Sequence, residues 1–233
     1  MENFSERLAL VEERIAAACR RANRARNGVR LMAVSKTHPA SAIREAAAAG
    51  LTLFGENRVQ EFDAKKAELP EGLEVHLIGH LQSNKAAKAS AIFSTIDTVD
   101  SLRLLERLNE AAKQFERQLA VLLEIKLSDE AAKTGFAPAN VELQQVLERA
   151  AAMHYVQVRG LMTIAPLDEN PETARGCFRR LRDLRDELAR KHPGVDLQEL
   201  SMGMSGDFEI AIEEGSTLVR IGTALFGTRE ARV

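Results

Sequence analysis

Eight short apolar runs, separated by longer amphipathic stretches, constrain the fold of this chain more than any other feature. The runs are VRLMAVS (29–35), LTLFGEN (51–57), EVHLIGHL (74–81), STIDTVD (94–100), LAVLLEIKL (119–127), VQVRGLMTIA (156–165), LQELSMGMS (197–205) and STLVRIGTALFG (216–227). Several are continuously apolar rather than alternating, the pattern of parallel strands covered on both faces. Helical periodicity fills the intervals 40–49, 58–68, 84–91, 101–115, 138–153, 171–191 and 207–214, and a further helix over roughly 3–25 precedes the first run. Asp100 or Ser101 can cap the helix after the fourth run, Pro138 can open the sixth interval, and Pro171 with Glu172 can open the longest one. Strands and helices alternating eight times predict an α/β (β/α)8 TIM barrel with an extra N-terminal helix. A doubly wound open sheet is the alternative. No linker or low-complexity segment interrupts the pattern, so residues 1–233 read as a single domain.

Composition narrows the function classes. A net charge of −2 and a pI near 6.3 give no basic footprint for nucleic acid. No apolar run reaches the roughly 18 residues of a membrane span, and no secretory signal precedes the first helix, so a soluble cytoplasmic protein is expected. Cys19 and Cys177 lie far apart in helical patterns and read as reduced thiols. None of His76, His154 and His192 has a neighbour at metal-ligand spacing, so no metal is expected.

In a barrel the C-terminal ends of the strands form the functional face. There the sequence places Lys36 with Thr37 and His38, Asn57 and Arg58, His80 with Gln82 and Asn84, and Met162 with Thr163. Ser205-Gly206-Asp207 sets a hydroxyl and backbone amides at a helix start, a natural anion site, and Gly222-Thr223 follows the next strand. A strand-end lysine facing a phosphate cradle leaves two chemistries open: a phosphosugar isomerase or aldolase, or pyridoxal phosphate carried on the lysine.

The segments LMAVSKTHP, LFGENRVQE, HLIGHLQSNK, GLMTIAP, LSMGMSGDFEIAI and GSTLVRIGTALFG together resemble the pyridoxal phosphate homeostasis protein family. These are single-barrel relatives of the alanine racemase N-terminal domain. The resemblance implies a fold type III barrel binding pyridoxal 5'-phosphate, with Lys36 as the Schiff-base lysine. It also implies that Ser205, Gly222 and Thr223 hold the phosphate and that Arg220 faces the pyridine nitrogen. By the same resemblance Asn57 and His80 would line the pocket and Met204 would pack near the cofactor, a plain core methionine being the alternative for Met204. A lysine pKa near 10.4 must fall for exchange at neutral pH, through desolvation or nearby positive charge.

One segment departs from the family pattern. Lys126 stands on the fifth strand where an asparagine is usual, before the retained Glu130, Lys133 and Gly135. The second base of alanine racemases is a tyrosine from another domain, for which this chain has no room. Its only tyrosine, Tyr155, precedes the sixth strand at the opposite rim. The expected role is therefore buffering and delivery of the cofactor by a monomer, with apo pyridoxal enzymes as possible recipients and no substrate turnover. The alternative is a monomeric pyridoxal-phosphate-dependent amino-acid racemase.

Overall fold

The apolar runs become parallel strands because helices cover one face of each and the other faces the barrel axis. The computed structural model describes residues 3–128 and 134–227. The strands are β1 (Arg30–Val34), β2 (Leu53–Glu56), β3 (Glu74–Leu77), β4 (Thr95–Val99), β5 (Leu119–Glu124), β6 (Val156–Met162), β7 (Glu199–Ser201) and β8 (Leu218–Ile221). They pair in chain order, and β8 returns to β1 with Arg30 opposite Leu218 and Ala33 opposite Ile221. That closure excludes the open sheet and gives the eight-stranded parallel barrel.

The helices are α1 (Phe4–Arg21), α2 (Ala40–Ala48), α3 (Val59–Lys65), α4 (Ala86–Ile92), α5 (Leu102–Gln114), α6 (Val141–Ala150), α7 (Pro171–Lys191), α8 (Phe208–Glu213) and α9 (Thr223–Phe226). Ser101 caps α5 and Pro171 opens α7 behind the Asn170 cap. Three boundaries differ from the sequence pattern. Pro138 does not open α6; Asn140 does, its side chain accepting from the Glu142 amide. The interval 84–91 begins as a 3-10 turn over Ser83–Lys85 before α4. The run 216–227 is not one strand, because the backbone leaves β8 at Gly222 and coils into α9.

The extra helix α1 starts at an Asn3–Glu6 capping box and buries Phe4, Val11, Ile15, Ala18 and Cys19 along one face. Each large apolar side chain so buried contributes about 1.5–3 kcal/mol. That face braces the last unit of the barrel. Arg7 Nε donates to the Leu225 carbonyl at 2.6 Å, the Phe4 and Phe226 rings lie 5.4 Å apart, and Phe226 stacks on His38 at 4.7 Å. The helix outside the barrel thus fixes α9 against the loop after β1. Cys19 and Cys177 are buried and free.

Side chains inside the barrel form two kinds of layer. Met32, Leu53 and Leu218 make a small apolar cluster separate from the main core, with Ile78 against it. Gly55 is required there, since a Cβ would meet Met32 Sδ at 2.6 Å. The other layer is charged: His76, Asp97 and Arg220 are all buried inside the barrel.

Candidate functional site

Lys36 reaches the rim on a turn that local chemistry holds firmly. Thr37 adopts a left-handed conformation (φ 68°), and its amide donates to the Glu61 carboxylate. A non-glycine residue in that region costs free energy and persists only where its surroundings hold it. Beneath the turn, Ser35 Oγ donates to Glu56 Oε1 at 2.5 Å, and Lys65 Nζ pairs with the same oxygen at 2.7 Å. Lys65 also donates to the carbonyls of Ser35 (3.3 Å) and His38 (3.0 Å), on either side of Lys36. Glu56 is fully buried, and burial raises its pKa against the opposing pull of Lys65 and Ser35. The sequence reading missed this clamp. Its signal was present, because Lys65 continues the buried Val59–Phe62 face of α3 at threefold spacing.

Lys36 is partly buried and faces a cavity of about 270 Å³ lined also by Asn57, Met204, Ser205, Arg220, Gly222 and Thr223. Small-molecule sites begin near about 300 Å³, so one compact ligand fits. An adjoining lobe of about 290 Å³ shares Lys36 and Asn57 and is lined by His80, Glu124 and Lys126. Seven of the eight residues expected at the site therefore surround one cavity, and His80 belongs to its neighbour. His80 is exposed and pairs with Asp100 at 3.2 Å. Lys126 lies across from it beside Glu124, whose pKa burial raises while a hydrogen bond from Thr134 (3.0 Å) opposes the rise. Glu130 and Lys133 lie outside the described residues.

At the opposite wall the loops after β7 and β8 come together. Gly203 has φ 95°, and a Cβ there would meet Ala211 Cβ at 2.5 Å, so only glycine lets the chain turn this sharply. Asp207 Oδ1 accepts from the Met204 amide at 2.6 Å and ties the turn; burial raises its pKa while that bond and Arg220 oppose. Ser205 Oγ accepts from the Ala224 amide at 3.3 Å, linking the two loops. The backbone amides of Ser205, Gly206, Gly222 and Thr223 find no acceptor among the described residues. Gly206 has open space where a Cβ would sit. All four residues line the cavity, and unpaired amides beside a hydroxyl are the kind of group that holds an anion.

Arg220 closes the floor. It is buried, with Nη1 donating to Ser201 Oγ and Nη2 to the Thr163 carbonyl, both at 2.8 Å. Burial lowers its pKa while Asp97, Asp207 and Glu124 oppose, and a guanidinium remains charged at any physiological pH. Of these partners the sequence singles out Thr163, as a rim residue, and Asp207, at a helix start; Ser201 and Asp97 carry no local signal. Tyr155 lies before β6 at the N-terminal rim, half-buried against the core, its amide donating to Asn109 at 3.2 Å.

A closed parallel barrel with a strand-end lysine, unpaired amides after its last two strands and a buried arginine between them belongs to the (β/α)8 class, in which phosphate sites recur at the loops after strands seven and eight. Comparison with known proteins narrows that class. Residues 9–230 match the family described as alanine racemase, N-terminal domain, and the chain belongs to that family. The pyridoxal phosphate homeostasis protein of Aquifex aeolicus is 46% identical over 98% of this chain and 99% of its own length. The structure of PipY of Synechococcus elongatus with PLP bound superposes with a TM-score of 0.85 at 44% identity, covering 97% of this chain and all of that one (100%). An alanine racemase of Clostridium difficile shares the fold alone, with a TM-score of 0.71 at 18% identity over 94% of this chain and 56% of its own.

Proposed function

We propose that this chain binds pyridoxal 5'-phosphate on Lys36 and serves its homeostasis, holding the aldehyde in reserve and releasing it to apo pyridoxal enzymes. The observation that carries the reading is one cavity with a lysine on one wall, unpaired amides on the other and an anchored guanidinium between them. The residues present fit that cofactor. Four amide donors without a protein acceptor, beside the Ser205 hydroxyl, suit a phosphate. The cavity of about 270 Å³ suits a single substituted ring. When bound, the cofactor supplies an aldehyde that condenses reversibly with a primary amine and releases water.

Each side chain then has a task. Lys36 supplies the amine, held at the cavity edge by the Ser35–Glu56–Lys65 clamp below it. The cradle amides and Ser205 fix the phosphate. Arg220 would face the ring nitrogen; a guanidinium only donates, so it would favour an unprotonated ring and weaken carbanion chemistry. Asn57 and Met204 bound the ring laterally, and His80 faces the adjoining lobe. Proton exchange at an amino acid's α-carbon needs an acid–base group on each face. Tyr155 at the far rim cannot serve there, which supports a role in binding without turnover.

Among the described residues no helix is long and apolar enough to cross a membrane. A cytoplasmic location and a monomeric state free of membrane and nucleic-acid partners belong to the same proposal; the net charge of −2 favours the exclusion of nucleic acid.

The test is an absorption spectrum of the protein incubated with pyridoxal phosphate beside Lys36→Ala, followed by borohydride reduction and peptide mapping. The expected result is a visible band that the variant lacks, with the reduced adduct on Lys36. Equal weak bands in both proteins would remove Lys36 from the site and return the cavity to a phosphate-ligand enzyme.

A further inference from the structure

Below the pocket, the barrel axis carries a continuous polar chain. Arg220 Nη1 donates to Ser201 Oγ (2.8 Å), Ser201 donates to Asp97 Oδ2 (3.4 Å), and Asp97 Oδ1 meets His76 Nδ1 at 2.8 Å. His76 Nε2 meets Glu74 Oε1 at 2.9 Å, and Glu74 Oε2 meets Arg30 Nη2 at 2.5 Å near the opposite rim. Asp97 and Ser201 are fully buried and His76 is 1% exposed. The six residues come from five strands, Glu74 and His76 both from β3, so the register of β1, β3, β4, β7 and β8 assembles the chain.

We propose that His76 is a positioning residue for the pocket: by holding Asp97 in the one orientation that presents its second oxygen to Ser201, it fixes the Arg220 guanidinium at the cavity floor. The inference rests on the pyridoxal phosphate reading for the ligand that Arg220 meets, but its geometry stands without ligand.

The hydrogen-bond inventory supports it. Ser201 has one proton; given to Asp97, it leaves the hydroxyl oxygen to accept from Arg220. His76 touches a carboxylate at each ring nitrogen, and ionised carboxylates only accept, so both nitrogens must carry protons. His76 is then a fixed cation whose two bonds aim Asp97. Glu199 feels His76, Arg30, Asp97 and Arg159 without bonding to the ring, Arg159 pairs with Asp196 at 3.1 Å, and Asp207 and Glu124 act on Arg220 at the pocket end. With Asp97 untethered, its carboxylate would rotate, Ser201 would lose its acceptor, and Arg220 would keep only the Thr163 carbonyl.

The experiment is a double-mutant cycle with two readouts. One is the Kd for pyridoxal phosphate with the absorption maximum of the bound form; the other is hydrogen exchange of the Arg220 side-chain N–H groups by NMR in cofactor-free protein. His76→Leu and Ser201→Ala are each expected to weaken binding about tenfold, the scale of one charge-assisted hydrogen bond, and to speed Arg220 exchange. The double variant should match Ser201→Ala alone, because both break one line of contacts. His76→Asn, which keeps a donor where Nδ1 sits, should stay within about twofold of the wild type. Additive effects on Kd, or Arg220 exchange unchanged in Ser201→Ala, would overturn the inference; Ser201→Ala removes one oxygen and keeps the test open if His76→Leu does not fold. Failure of the wild type itself to bind pyridoxal phosphate would refute the ligand reading instead, and the exchange readout would still decide the role of His76.

Discussion

Raising the pH from 6 to 10 should destabilise this protein through one buried side chain. Burial alone would lower the His76 pKa, but Asp97 and Glu74 more than reverse that effect and push it to about 9, against 6.5 in the unfolded chain. A base whose folded pKa is raised contributes stability that is complete below its unfolded pKa and vanishes as pH climbs through its folded one. The window therefore runs from about pH 6.5 to about pH 9. At 1.36 kcal/mol per pH unit, the span from 6.5 to about 9 is worth about 3 kcal/mol. Urea unfolding at intervals across that range reads the loss directly; with a slope of about 3 kcal/mol/M, the midpoint should fall by about 1 M. His76→Asn has no proton to lose, so its midpoint should be flat over the window apart from titrations common to both proteins. On the acid side the same contact works in reverse. The His76 hydrogen bond, against burial, holds Glu74 down at about 2, so that stability is present above the unfolded 4.5 and falls as pH drops toward 2. A wild-type change under about 1 kcal/mol between pH 6 and 10, or an equal fall in the variant, would refute the doubly protonated His76.

Two further substitutions test the support of the site. Lys65→Met leaves the fully buried Glu56 without its cation and should cost about 3–5 kcal/mol in denaturant unfolding, most of it recovered by Lys65→Met/Glu56→Gln. No recovery in the double variant would show that Lys65 acts by packing. Gly79→Ala places a Cβ 2.1 Å from the Asn57 carbonyl, so the end of β2 must move; about 1–3 kcal/mol of destabilisation and weaker ligand binding are expected by calorimetry. Unchanged affinity would mean that Asn57 does not shape the pocket.

The strands were legible because burial on both faces writes them as apolar runs, and the rim residues followed because the fold puts function at strand ends. Lys36 and the Ser205 and Gly222 loops needed no long-range information, only their position after a strand. What stayed hidden depends on register. His76 and Asp97 are 21 residues apart and meet only because β3 and β4 align as they do. A histidine and an aspartate inside apolar runs look like two separate anomalies, and the sequence shows of His76 only that it has no neighbour at metal-ligand spacing. The α9 turn was hidden for another reason: four residues of helix inside TALFG hold one turn, too short for any period to register.

The charges along the axis also explain why the barrel tolerates them. From the far rim they alternate: Arg30, Glu74, His76 as a cation, Asp97, then Arg220 beyond the neutral Ser201. Each interior charge has an opposite neighbour on both sides, which offsets the desolvation that makes an unpaired buried ion so costly. The alternation ends in a cation at each rim, Arg30 at the far one and Arg220 at the pocket. Around Arg220 the fields of Asp207 and Glu124 add to that of Asp97. A layer of leucines would fill the same space with less desolvation, but it would strip Arg220 of Asp97 and of its Ser201 anchor, leaving the Thr163 carbonyl and the fields of Asp207 and Glu124. The polar interior and the pocket floor are therefore joined through hydrogen bonds that run from Arg220 down the barrel to His76.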